Sequence, residues 1–348
     1  MSGMNNIPSV NQTQLLSLMS VCAAARRPLL VWGSPGIGKS DLTRAFAEVV
    51  EGEVCDIRLA QYDAVDIRGL PDVSENRTIW HPPSTLPLVG NDDWSDDKPI
   101  VLFLDEILQA APAVQSVAFQ LVLERRIGEH ELKPNVLIFA ASNRETDRAG
   151  VQKMLLPLAN RFMHVNLEPS LDAWKDWALA SGVDPMLVAY LNFRPDMLDQ
   201  FDEALKAGTK AFPTPRAWHA VSDVLAALEG DPDLRNVAVS SIVGEGVGAE
   251  LAAFLRSASE LPSWTKIIEG PESIAIPDRP DMMYALVGLM ANRVDPETAP
   301  ACITLAKRLP QEYAVMWMAD VSRRKRDLVI KSKEMLAYQT ELHHAIYG

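Results

Sequence analysis

Two rhythms of apolar and polar positions run along this chain, and the change between them falls near residue 168. In the first half, short unbroken apolar runs alternate with stretches of helical spacing. Residues 28–32, 99–104, 136–141 and 163–167 read as strands, and 54–59 reads as a shorter one that alternates in part. The run at 100–104 is apolar at every position, as expected of a parallel strand buried on both faces. Residues 13–26 carry a helical stripe of Leu15, Leu16, Leu18, Met19, Val21 and Cys22. Residues 41–50 and 113–123 have the same periodicity. Strands alternating with helices predict an α/β sheet with right-handed crossovers.

Residues 60–98 break this rhythm with Pro71, Pro82, Pro83 and Pro87 among many polar residues. Within them, Arg77-Thr-Ile-Trp80 reads as one arm of a small hairpin, and 91–97 as an acidic, solvated loop. After Glu168-Pro169 only helical spacing remains, at 171–181, 185–192, 197–207, 215–228 and 241–257. Residues 270–280 hold three prolines and read as a linker, and helices return from 281 to the end.

The chain has 348 residues, enough for two or three domains. Its net charge of −13 argues against a broad nucleic-acid surface, which needs clustered Lys and Arg. Cys22, Cys55 and Cys302 lie far apart without metal-ligand spacing and read as buried thiols in a reducing compartment. No apolar run approaches the roughly 20 residues of a membrane span. No basic-then-apolar export signal opens the sequence, so the expected location is cytoplasmic.

The candidate chemistry centres on Gly33, Ser34, Pro35, Gly36, Ile37, Gly38, Lys39 and Ser40, which fit G-x-x-x-x-G-K-[ST] between a strand and a helix. A glycine-rich turn there aims backbone N–H groups at one point, and the helix N-terminus adds partial positive charge. Lys39 would reach the β- and γ-phosphates, and the Ser40 hydroxyl would bind Mg²⁺. Hydrolysis needs further groups, and strand ends supply candidates. Asp105 would hold the metal with Ser40, Glu106 would accept a proton from, or orient, the attacking water, and Asn143 would hold the γ-phosphate and that water. Arg161 is a candidate for the cation that stabilises transition-state charge, in its own subunit or a neighbour's, with Arg144 and Arg148 as rivals. Arg216 opens a helix of the second half and would couple nucleotide state to domain angle.

With these residues in place, the chain resembles the AAA+ ATPases of the MoxR and dynein-related branch over about residues 10–260. The resemblance implies a P-loop αβα sandwich with a parallel sheet at 1–167, carrying an insert at about 60–90. It also implies an all-helical lid at 168–260; residues 261–348 read as a helical C-terminal extension of unassigned role. It assigns Walker A to 33–40, Walker B to 102–106, sensor 1 to Asn143, an arginine finger to Arg161 and sensor 2 to Arg216. The stretch 66–87 resembles the helix-2 insert of that branch, 125–132 its presensor hairpin, and 244–250 part of its lid. Implied with the family are ATP and Mg²⁺, a homo-oligomeric ring (a hexamer), and a protein client with a von Willebrand A-domain partner. Rival readings are a nucleic-acid motor, a nucleotide-gated scaffold with little turnover, and a small-molecule kinase.

Other signals read as structural. Arg323-Arg-Lys-Arg326 reads as a solvated helix face. His343 and His344 point to different sides of a helix. Met282, Met283, Met316 and Met318 read as core fill, and Trp174 with Trp177 as a packing stripe.

Overall fold

The computed structural model describes residues 7–73, 78–147, 154, 156–228 and 232–347. The chain divides into two compact units, Met1–Ser170 and Leu171–Gly348.

The first unit is built on six parallel strands: β1 (Ser9–Val10), β2 (Leu29–Trp32), β3 (Glu53–Arg58), β4 (Ile100–Asp105), β5 (Val136–Ser142) and β6 (Met163–Leu167). Their order in the sheet is β1-β6-β2-β5-β4-β3. Register aligns the carboxyl ends: Trp32 pairs with Ser142, and Arg58 with Asp105. Alternation on the central strands splits the core into two layers. Leu30, Leu102, Leu104, Ile138 and Ala140 enter one, while Val31, Val101, Phe103, Phe139 and Ala141 enter the other. Both faces are covered, which is why β4 is apolar from Ile100 to Leu104. Each Val, Leu, Ile or Phe among them contributes roughly 1.5–3 kcal/mol of burial.

β1 has no counterpart in the sequence expectations. Its two residues pair with Asn166 and Leu167 at the sheet edge. Asn11 then caps the helix Gln12–Ala25: its side chain accepts from Gln14 N–H at 2.9 Å, and the Gln14 side chain accepts from Asn11 N–H at 3.0 Å.

Leu70–Asp72 and Ile79–His81 pair as an antiparallel hairpin. Arg77 lies outside the described residues, and the second arm begins at Ile79. Gly69 enters this hairpin at φ +94°, where a Cβ would sit 2.1 Å from the His81 carbonyl oxygen. Arg126–Ile127 and His130–Glu131 form a second hairpin. The two are joined by His130 Nε2, which donates to the Trp80 carbonyl at 2.9 Å.

The second unit is helical. Its helices and two apolar clusters cover Leu171–Tyr347. Three expectations change here. Residues 241–257 are not one helix: Pro232–Val243 and Glu245–Ser259 meet at Gly244, whose φ of +89° breaks the run. Asp231, which lies between the helical spacing at 215–228 and that at 241–257, is outside the described residues. The proline-rich stretch 270–280 is packed rather than free, because Ile274 is buried and its carbonyl accepts from Arg308 at 2.8 Å. The basic cluster at 323–326 is solvated only in part: Arg323 and Arg326 are exposed, while Arg324 and Lys325 are half-buried. Arg323 pairs with Asp172 at 2.9 Å and Asp176 at 3.2 Å, and the Lys325 ammonium donates to the Asn292 and Val294 carbonyls.

All three cysteines are free and buried. Burial, with the Asp56 charge, pushes the Cys55 thiol up to about 12, so it is inert. Met283, Met318 and Trp174 are core residues as expected, while Trp177 is partly exposed. Among the described residues no helix is long and apolar enough to cross a membrane, and no cluster could hold a metal through His, Cys, Asp and Glu alone.

Candidate functional site

β2 ends at Trp32, and residues 33–38 loop over its carboxyl end into the helix Lys39–Val49. Gly36 and Gly38 adopt φ of +83° and +92°, a region that glycine enters at no steric cost. Gly33 is needed for space. A Cβ there would lie 2.4 Å from Ile37 Cδ1 and 3.0 Å from the Leu167 carbonyl oxygen.

Lys39 Nζ donates to the Gly33 carbonyl at 2.7 Å, the Ser34 carbonyl at 3.0 Å and Asn143 Oδ1 at 3.0 Å. Asn143 directly follows β5, the strand beside β2. Ser40 Oγ donates to Asp105 Oδ2 at 2.9 Å. Asp105 ends β4 and is 8% exposed, and its Oδ1 accepts the Glu106 N–H at 2.9 Å. Five sequence-selected elements thus meet at one edge of the sheet: the loop, Lys39, Ser40, the Asp105-Glu106 pair and Asn143.

Glu106 has φ +56°. A side chain in the left-handed region costs roughly 1–2 kcal/mol, and such strain concentrates at working sites. The Ile107 N–H donates to the Ala141 carbonyl at 3.2 Å and the Gln109 N–H to the Glu106 carbonyl at 2.9 Å, which pin this turn against β5. Ser142 Oγ lies 3.1 Å from the Asn143 carbonyl and 3.4 Å from Gln109 Oε1. Neither Ser142 nor Gln109 stood out in the sequence, since neither belongs to a motif.

The arginine candidates separate. Arg144 is held locally by Asp147, with Nε 2.8 Å from Oδ1. Arg148 lies outside the described residues. Arg161 is exposed in the turn between the helix Leu156–Ala159 and β6, and its guanidinium has no partner among the described residues. Arg216 belongs to the second unit. It is exposed in the first turn of the helix Pro215–Ala227, which Thr214 Oγ1 caps by accepting the Ala217 N–H at 3.1 Å.

The donor set fits a nucleotide with Mg²⁺. A hydroxyl and a carboxylate 2.9 Å apart are the hard oxygen ligands that Mg²⁺ prefers. An ammonium folded onto loop carbonyls is placed to exchange them for phosphate oxygens.

Fold and site together define a P-loop nucleotide-binding unit on a parallel sheet. Residues 5–170 match the family described as "MoxR domain in the MoxR-vWA-beta-propeller ternary systems". Among solved structures, variants of RuvB from Thermotoga maritima are similar at low identity. One is 17% identical over 75% of this chain and 77% of that chain, with a TM-score of 0.38. Another is 16% identical over 87% and 88%, with a TM-score of 0.37.

Proposed function

We propose that this chain is a ring-forming, Mg²⁺-dependent motor that hydrolyses ATP to remodel or activate a protein client. The observation that carries this reading is the pair of hydrogen bonds Lys39–Asn143 and Ser40–Asp105, which tie the phosphate loop to the ends of two further strands. Residues 33–40 hold the phosphates, and Ser40 and Asp105 hold the metal. Bound Mg²⁺ supplies neutralising charge on the phosphate oxygens. Glu106 takes the proton of the attacking water, and Asn143 keeps that water in line. Arg161 is offered to the nucleotide of the next subunit, as its lack of an internal partner among the described residues supports. Arg216 serves as the sensor of the lid, assigned to 168–260, with 261–348 as the extension.

The ring, taken as a hexamer, follows the family. So does a von Willebrand A-domain partner, in keeping with the family description that names one. Three buried free thiols support a reducing, cytoplasmic setting.

The test is Glu106→Gln. It is expected to retain ATP, remain assembled in native mass spectrometry and lose turnover about 10²–10⁴-fold, the usual worth of a general base. A client held by the ATP-loaded variant and released by the wild type would support remodelling. Wild-type turnover in the variant would remove Glu106 from the chemistry, and a monomer with bound ATP would remove the ring.

A further inference from the structure

Trp32 delivers the chain to Gly33, and its indole N–H meets a single acceptor, Nδ1 of His164, at 3.0 Å. An indole N–H can only donate, so Nδ1 must be the unprotonated nitrogen and the ring neutral. Nε2 therefore carries the proton. It donates to the Ala159 carbonyl at 2.7 Å. The imidazole is also stacked against Trp32, with centroids 6.0 Å apart and planes inclined by 22°, and meets the edge of Phe162 at 6.3 Å.

What His164 grips is the segment that carries Arg161. Ala159 closes the helix Leu156–Ala159, and its carbonyl also accepts the Phe162 N–H at 3.3 Å. The Arg161 N–H donates to the Leu158 carbonyl at 3.0 Å inside the same turn. Beyond the turn, the Met163 N–H donates to the Pro28 carbonyl at 2.9 Å, so both ends are fastened to the strand that leads into the phosphate loop. A continuous chain runs from Trp32 through His164 to Ala159, two residues from the arginine. A ring serving only as apolar filling would not need both nitrogens matched.

We propose that His164 is a positioning residue: the Trp32–His164–Ala159 relay holds the Arg161 turn in register with the strand feeding the phosphate loop. One subunit's loop thereby sets the finger it presents to the next subunit. This rests on the reading of Arg161 as that finger. Because a displacement of about 1 Å can cost on the order of 10²-fold in rate, a relay two residues away is enough to matter.

The experiment measures steady-state ATP turnover of the full chain in four variants. His164→Phe keeps an aromatic ring and loses both hydrogen bonds. Trp32→Phe removes the donor and narrows the buried ring while keeping an aromatic face. His164→Gln supplies an amide that can accept from Trp32 and donate to Ala159. Arg161→Ala removes the finger itself. The expected result is that both Phe variants lose about 10- to 100-fold in kcat with KM within about 2-fold, and that His164→Gln recovers most of it. Adding His164→Phe to Arg161→Ala should cost nothing further, since both act through one group. Wild-type kcat in the Phe variants, a parallel rise in KM, or losses that multiply with Arg161→Ala would overturn the relay. If His164→Phe misfolds, Trp32→Phe reads the same prediction. Arg161→Ala decides the finger reading by itself: full turnover there sinks both, whereas a dead Arg161→Ala beside an active His164→Phe sinks only the relay.

Discussion

Lys39 Nζ lies 3.0 Å from Asn143 Oδ1, although 104 positions separate the two residues. The contact is made possible by the register of β2 against β5, which pairs Trp32 with Ser142 and so brings the residues that follow each strand to the same edge. The same ammonium also holds the Gly33 and Ser34 carbonyls. Its binding task and its structural task therefore compete for the same three donors.

Lys39→Ala should abolish nucleotide binding in fluorescence titration with a labelled ATP analogue. Each hydrogen bond that the charged ammonium makes is worth about 1.5–3 kcal/mol, so the variant should also show a lowered thermal midpoint. Retained ATP affinity would contradict the assignment.

Glu106 illustrates strain held for chemistry. Glu106→Gly should remove turnover and raise unfolding free energy by up to about 1 kcal/mol, the relief of the left-handed backbone minus the added freedom of the unfolded glycine. Urea denaturation measures this. A loss of stability would mean that the Glu106 side chain supports the fold.

In the second unit, Lys175 and Asp320 are 6% and 5% exposed and face each other at 3.5 Å, with Asn192 bridging them at 3.0 and 3.1 Å. Asp320→Ala would leave a buried ammonium short of its countercharge and should cost about 3–5 kcal/mol. Arg323→Ala, in the more exposed part of the same network, should cost about 1 kcal/mol or less. Denaturant midpoints of equal size in the two variants would contradict this ranking.

Acid should weaken the second unit. Hydrogen bonds from Arg194 at 2.9 and 3.0 Å hold the Asp196 carboxyl below the usual carboxylate range, and the Thr298 backbone N–H does the same for Asp295. A carboxyl depressed in the folded state contributes stability that is present above its unfolded pKa, about 3.9. That stability is lost as pH falls through the lower folded value. Calorimetry between about pH 5 and pH 3 should show a falling midpoint, with a shallower fall in Asp196→Asn and Asp295→Asn.

Much of the site was legible because its signals are local. The phosphate loop is contiguous, Asp105-Glu106 follows an unbroken apolar run, and Asn143 follows another. Three of the six strands announced themselves through unbroken apolar runs and two more through short alternation. β1 did not: two residues held by backbone pairing leave no periodicity to read. Helical spacing at 241–257 concealed the break at Gly244, because apolar positions resume in phase after the turn. The pairing of Arg323 with Asp172 and Asp176, and the relay from Trp32 to His164, join residues more than 130 positions apart. No spacing rule carries such information. It appears only when the sheet and the helices bring those positions together.

In the proposed motor, cleavage chemistry is assembled from two copies of the chain, and mixing two inactive variants probes this. Lys39→Ala and Arg161→Ala proteins, each inactive alone, are unfolded or dissociated together at equal amounts, reassembled, and assayed for phosphate release. A head-to-tail ring of random composition pairs an intact loop with an intact neighbouring arginine at about a quarter of its interfaces. Turnover near that fraction of wild type is the predicted result, and a mixture as inactive as its components would contradict it.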